Sequence, residues 1–142
     1  MTVPFDFSGQ NVLVIGGTSG INLGIAQGFA KAGAKLGVIS RSQEKVDAAV
    51  TLLSKHTDAM GFSADVRDYE AIDSCTREFS EHLGSIDVLV SGAAGNFPAA
   101  ANAMSANGFK AVMDIDLLGT FQVLRCAYSF LKKPGSAVIN IS

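Results

Sequence analysis

Hydrophobic and polar positions follow two rhythms along this chain. Short, largely apolar runs recur at Asn11–Ile15, Lys35–Ser40, Ala59–Ala64, Ile86–Ser91 and Ala137–Ser142, each of strand length. Segments with helical spacing lie between them. The first runs from Gly20 to Ala32, with Ile21, Ile25 and Phe29 in step, and Gly33 closes it. A second runs from the N-cap type residue Ser42 to His56, and a third from Asp68 to His82 with Gly84 just beyond. A long fourth extends from Ser105 to about Lys132, bent near Gly119 and stopped by Pro134-Gly135. Strands buried on both faces and alternating with helices predict an α/β fold, a Rossmann-like doubly wound parallel sheet with right-handed crossovers. The expected strand order is 3-2-1-4-5, with the chain ending on the fifth strand as an unprotected edge. The 142 residues suit one domain, 1–142, with a sizeable core.

Composition narrows the function classes. Hydrophobic residues make up 48% of the chain, yet no apolar run reaches the ~18 residues of a spanning helix, so no membrane partner is expected. The start, Met1-Thr2-Val3-Pro4-Phe5-Asp6, lacks a basic, long apolar leader, which points to a cytoplasmic setting. A net charge of −2 supplies no basic field, so no nucleic-acid partner is expected. Cys75 and Cys126 each fall inside a predicted helix without C-x-x-C pairing, and read as packing thiols rather than metal ligands or a disulfide. No metal is expected. His56 and His82 fall near predicted helix C-termini, where a cation suits the dipole better than a catalytic role suits the residue.

The chemistry concentrates at the ends of the strands. After the first, Gly16-Gly17-Thr18-Ser19-Gly20 interrupts the apolar run and opens a helix, so free backbone N–H groups and the helix dipole converge on one place. Gly16 allows a tight exit from the strand, Gly20 lets backbone approach a phosphate, and Thr18 and Ser19 add hydroxyl donors. The spacing is G-x-x-x-G-x-N rather than G-x-G-x-x-G, and a purely structural turn is the alternative. The second strand ends in Ser40-Arg41, where a hydroxyl and a guanidinium suit the 2′-phosphate of NADP(H); otherwise Arg41 merely flanks the next helix. Asp65-Val66 after the third strand can accept from an adenine amino group and cover the base, or Asp65 can cap a helix. The small residues Gly92-Ala93-Ala94-Gly95 after the fourth strand leave room for a ribose or nicotinamide, and Asn96 and Phe97 start a loop that can touch substrate; Phe97 reads equally well as a hydrophobic plug. Asp116 shares a helix face with Val112, Met113, Gly119 and Thr120. A carboxylate there is expected to be desolvated and available as an acid, or else to bind loop amides.

Taken in order, G-G-T-S-G-I-N-L-G-I-A, S-R, A-D-V, I-D-V-L-V-S-G-A-A-G and V-I-N-I-S resemble the short-chain dehydrogenases/reductases along essentially the whole chain. A-A-G-N-F together with M-D-I-D-L-L-G-T-F is most similar to the peroxisomal type of 2,4-dienoyl-CoA reductase and its bacterial relatives, which use NADPH to reduce a conjugated fatty-acyl thioester. The resemblance implies that Gly16, Thr18, Ser19, Gly20 and Ile21 form a pyrophosphate turn. It also implies Arg41 at the 2′-phosphate, Asp65-Val66 at adenine, Ala93 and Ala94 beside the cofactor ribose, and a catalytic Asp116 where most of the superfamily carries Asn. An acyl-CoA-like small-molecule substrate and a homo-oligomer follow from the same likeness.

Departures from the family pattern are Ile15 for Thr, Asn22 for the last glycine of the turn, and Ser91-Gly92 for Asn-Asn. The family's catalytic Ser and Tyr-x-x-x-Lys positions follow the fifth strand and fall beyond Ser142. Tyr128 and Lys132 have the spacing but lie on the wrong element, before that strand. The expectation is therefore an oxidoreductase's N-terminal, cofactor-binding part that is inactive alone; the alternative is a nucleotide-binding or assembly module without activity.

Overall fold

The computed structural model describes residues 4–96 and 98–142. Five parallel strands, β1 (Asn11–Ile15), β2 (Lys35–Ser40), β3 (Ala59–Ser63), β4 (Val88–Ser91) and β5 (Ala137–Asn140), form one sheet in the order β3-β2-β1-β4-β5. β1 is central. Its residues pair in register with β2 from Asn11 opposite Lys35 to Ile15 opposite Ile39, and with β4 from Val12 opposite Val88 to Ile15 opposite Ser91. Every residue of β1 and β4 is buried, as a strand covered on both faces must be.

The helices α1 (Gly20–Lys31), α2 (Gln43–Leu53), α3 (Tyr69–Leu83), α4 (Ala106–Met113) and α5 (Gly119–Ala127) divide between the two faces. The period-2 alternation of the strands assigns residues to each layer. Val12, Val14, Leu36 and Val38 pack with Ala26 and Ala30 of α1 and Ala49 and Leu53 of α2. Leu13, Ile15, Ile39 and Leu89 face the opposite way, toward Ile72 and Phe79 of α3 and Val123 and Cys126 of α5. Local chemistry starts three of the helices: Ser42 accepts from Lys45 N at 3.3 Å, Asp68 from Ala71 N at 3.1 Å and Ser105 from Gly108 N at 3.0 Å.

Several boundaries differ from the sequence expectation. The first and third helices shift by one residue, and the fifth strand ends at Asn140 rather than Ser142. The second helix stops at Leu53, and His56 lies beyond it in a turn. β3 ends at Ser63 rather than Ala64. β4 begins at Val88, because Ile86 makes only an isolated bridge to Leu131. The long fourth helix is interrupted: a π-helical turn, Asp114–Leu118, separates α4 from α5, and a 3-10 turn, Tyr128–Phe130, ends the run before Lys132. The extra residue of a π turn shifts the helix face by part of a turn. That shift is invisible to a periodicity argument, which sees only one apolar stripe.

β5 hydrogen-bonds to β4 along one edge, and its four residues are exposed, with Val138 42% and Ile139 40% accessible. Among the described residues, no helix is long and apolar enough to cross a membrane.

Phe79 is the largest fully buried side chain, and it fills the space over Gly37, where no Cβ could stand. Phe79→Ala is expected to lower unfolding free energy by about 3–5 kcal/mol, read as a shift of the urea midpoint. An unchanged midpoint would contradict this packing.

Candidate functional site

A cleft of about 350 Å³ opens at the carboxyl ends of β1, β2 and β4. Its position follows from where the strands part company. Gly16 N donates to Ile39 O at 2.7 Å and Gly92 N donates to Ile15 O at 3.1 Å, the last rungs before the chains diverge. Neighbouring strands there send their connections to opposite faces of the sheet, which leaves a crevice. Gly16, Thr18 and Ser19 line its floor, and Gly92, Ala93 and Ala94 its far wall. Gly16 adopts φ +76°, and a Cβ on it would meet Ala93 N at 2.9 Å, so only glycine permits this turn.

The start of α1 differs from those of α2, α3 and α4. Its N-cap, Ser19, makes no side-chain capping bond, and its first turn, like that of α4, carries no acidic residue. The free N–H groups and the positive end of the dipole are therefore left for another acceptor.

At the β2 end the cleft is lined by Ser40 and Arg41, as expected, and by Lys45. Arg41 is exposed, and its carbonyl accepts from Ser63 Oγ at 2.9 Å, which ties the β2 exit to β3. Lys45 lies one helical turn beyond Arg41 on the other side of the Ser42 cap, so two cations share this corner. The i, i+4 spacing across the cap was the available signal for Lys45.

Asp65 and Val66 also line the cleft. Arg67 grips the Asp65 carboxylate, with Nε on Oδ1 at 3.0 Å and Nη2 on Oδ2 at 2.6 Å. Those hydrogen bonds hold the Asp65 carboxyl below the usual carboxylate range, and the charge of Arg41 adds to the effect. An adenine amino group at Asp65 would thus share the carboxylate with Arg67. Val66 is buried and fixed from α5: Gln122 Nε2 donates to Val66 O at 2.6 Å, and a Cβ on Gly119 would lie 2.6 Å from Val66 Cγ2. Gln122 and Gly119 were not among the residues anticipated, because nothing local marks a helix 56 residues downstream as the support of this turn.

The anticipated residues Gly20, Ile21, Asn96 and Asp116 lie outside the cleft lining. Gly20 and Ile21 are exposed, Ile21 at 73%. Asn96 is exposed on the loop, and Phe97 lies outside the described residues. Asp116 is exposed rather than desolvated, because the π turn rotates it out of the buried stripe. Its Oδ1 accepts from Gly95 N at 2.9 Å, and its carbonyl accepts from Thr120 Oγ1 at 2.6 Å. The carboxylate therefore holds the loop that continues from Ala93-Ala94. Ile115, its neighbour, lines the cleft instead.

Comparison with known proteins agrees with this geometry. A sequence model of the short chain dehydrogenase family matches residues 10–142. The chain is 40% identical over 144 residues to the peroxisomal 2,4-dienoyl-CoA reductase [(3E)-enoyl-CoA-producing] of Arabidopsis thaliana, covering 94% of this chain and 48% of that protein. It is 39% identical over 132 residues to the enzyme of the same name from Rattus norvegicus, covering 91% and 45%. The chain spans about half the length of the curated relatives it matches. Among solved structures, the Pseudomonas aeruginosa RhlG/NADP active-site complex superposes with a TM-score of 0.89 at 28% identity, covering 100% of this chain and 57% of that one. The two relatives are peroxisomal by name, so the cytoplasmic expectation draws no support from them.

The contact between Gly119 and Val66 is open to test. Gly119→Ala is expected to cost about 1–3 kcal/mol through overpacking and to displace Val66, visible in the chemical shifts of its methyl groups. A variant with wild-type stability and unshifted Val66 methyls would show that the space is not needed.

Proposed function

The chain belongs to the short chain dehydrogenase family, and from that premise we propose that it is the NADP(H)-binding part of an oxidoreductase acting on an enoyl- or dienoyl-thioester. One observation carries the reading: a single cleft joins the uncapped start of α1 to the cationic corner of Arg41 and Lys45. The first, at the end of β1, suits a pyrophosphate, and the second, at the end of the neighbouring β2, suits a 2′-phosphate.

The residues present fit such a cofactor. Gly16, Thr18 and Ser19 would take the pyrophosphate through backbone N–H groups and hydroxyls, with Gly20 and Ile21 completing the turn behind them. Ser40, Arg41 and Lys45 would hold the 2′-phosphate by charge-assisted hydrogen bonds. Val66 would cover the adenine, and Asp65 would accept from its amino group beside Arg67. Ala93 and Ala94 keep the far wall low for the second ribose. When bound, the reduced nicotinamide would supply the hydride, and the protein would supply position and charge.

Asp116 is proposed as the proton-handling group, held near the ribose wall by its bond to Gly95 N. The exposed loop at Asn96 would meet the substrate, and Phe97, next in sequence, is proposed for the same role. An acyl-CoA-like acceptor is the reading favoured by the dienoyl-CoA reductases at 39–40% identity. Taken alone, these 142 residues would bind cofactor without turning substrate over, since Asp116 is the one candidate proton group anticipated here. A homo-oligomer belongs to the same reading: Phe109, Leu117 and Phe121 stand exposed on the α4–α5 run, where a second copy could cover them.

Two measurements test this proposal. In titrations of the chain with NADPH and NADH, Arg41→Ala is expected to weaken NADPH about 10- to 100-fold, the range of one or two charge-assisted hydrogen bonds. Lys45→Ala should weaken it by less, and NADH should change under about twofold in both. Equal loss for the two dinucleotides would remove the 2′-phosphate assignment.

In a longer protein carrying this chain, Asp116→Ala is expected to cut turnover of a 2,4-dienoyl thioester at least about 10²-fold while sparing NADPH affinity. Asp116→Asn preserves an acceptor for Gly95 N but cannot titrate. Full turnover in that variant would make the residue a loop anchor instead of an acid. Oxidation of NADPH by the 142-residue chain itself would overturn the proposal that it is inactive alone.

A further inference from the structure

Asn22 stands in the first turn of α1, where a short side chain or none would leave the crevice open. Its Nδ2 donates to Gly92 O at 2.7 Å, so the turn after β1 is tied across the crevice to the turn after β4. The two are closely matched: a Cβ on Gly92 would fall onto the Asn22 amide group. The donor bond also fixes which way the amide points. Turning it over would set Oδ1 against the Gly92 carbonyl, oxygen against oxygen.

In that orientation Oδ1 is buried and has no hydrogen-bond partner among the described residues. No other side-chain nitrogen or oxygen described in the structure is both buried and unpartnered. Such a group is costly to leave unsatisfied, and each instance calls for an explanation. Asn22 lines the cleft beside Gly16, Gly92 and Ala93. A buried, unpartnered acceptor on a residue that lines a ligand cleft is suited to a donor that arrives with the ligand.

The sheet order indicates which donor that is. Arg41, Lys45 and Val66 stand on the β2–β3 side of β1, where the adenosine half would lie. Asn22 and Gly92 stand on the β4 side, beyond the pyrophosphate turn. On that side a dinucleotide offers the hydroxyls of its second ribose.

We propose that Asn22 acts both as a brace and as a cofactor acceptor, its Nδ2 fixing the β4 turn and its Oδ1 taking a hydrogen bond from a hydroxyl of the nicotinamide ribose. The inference rests on the dinucleotide reading above and adds to it a residue that selects for an intact second ribose. Asn22 is a cofactor-binding residue in this role and touches the cofactor away from the reacting atoms.

The experiment compares equilibrium binding of three probes: NADP+, an NADP+ analogue whose nicotinamide ribose lacks both hydroxyls, and 2′,5′-ADP, the adenosine half alone. Wild-type chain is expected to bind the dideoxy analogue about 10-fold more weakly than NADP+, the scale of one net hydrogen bond. Asn22→Ala should abolish that difference and leave 2′,5′-ADP within about twofold. Retained 2′,5′-ADP binding also reports that the variant is folded. If wild type binds both dinucleotides equally, or if the variant keeps the full penalty, the acceptor role is wrong. The wild-type comparison keeps the role falsifiable even if the variant does not fold, since equal binding of the two dinucleotides refutes it. Failure of wild type to bind 2′,5′-ADP or NADP+ at all would instead overturn the dinucleotide reading.

Discussion

The constraint on which the rest depends is the close passage of two backbones at the end of the central strand. β1 is sealed on both edges by hydrogen bonds and on both faces by apolar layers until Ile15. One residue later its neighbours leave in different directions, and Gly16 must pass within contact of the Ala93 backbone. A side chain at Gly16 would push the turns apart or block the crevice between them. Strand packing thus determines where the cleft opens, and the glycine determines that it stays open. The same divergence frees the start of α1, whose N–H groups would otherwise be capped like those of α2, α3 and α4.

Around that opening, the walls are held by residues distant in sequence. Val66 owes its position to Gln122 and Gly119 on α5, and the β4 turn is tied to α1 through Asn22. The loop after Ala94 is held by Asp116 on the π turn. Each tie uses a backbone amide or carbonyl of a turn, the groups that a strand leaves unpaired when it ends. The charge pattern is arranged likewise. Asp65 is paired locally with Arg67, which weakens its pull on Arg41, and Arg41 and Lys45 remain at the corner to meet an anion.

Much of this was legible in the chain before the structure. The strands are short apolar runs between glycine-rich turns, and β1 and β2 have the boundaries read from the sequence because their apolar interiors, Val12–Ile15 and Leu36–Ile39, run directly into turns of small and polar residues. Nine of the anticipated site residues, Gly16, Thr18, Ser19, Ser40, Arg41, Asp65, Val66, Ala93 and Ala94, line one cleft because each follows the carboxyl end of a strand. Lys45 was missed, although its spacing from Arg41 was there to see. The alternative reading of Asp116, a carboxylate binding a loop amide, is the arrangement found, while the desolvation expected of it is absent for a better reason. Its helical spacing from Val112 and Gly119 assumed an unbroken α-helix, and one π turn rotates it to the surface.

The sequence by itself determined the parallel sheet, its strand order and the chemistry at the strand ends, because burial on both faces and the turn residues are written locally, in runs of five or six positions. Tertiary structure alone decided what holds those ends in place. The Gln122 bond to Val66, the Asn22 bond to Gly92 and the Asp116 bond to Gly95 join residues from 21 to 70 positions apart. No local pattern encodes such pairings; they exist because α1 and α5 pack on opposite faces of one sheet, and the π turn aims Asp116 at the loop after β4. The orphaned oxygen of Asn22 belongs to the same class: its residue type was plain in the sequence, and only packing revealed that it is buried beside the cleft without a partner.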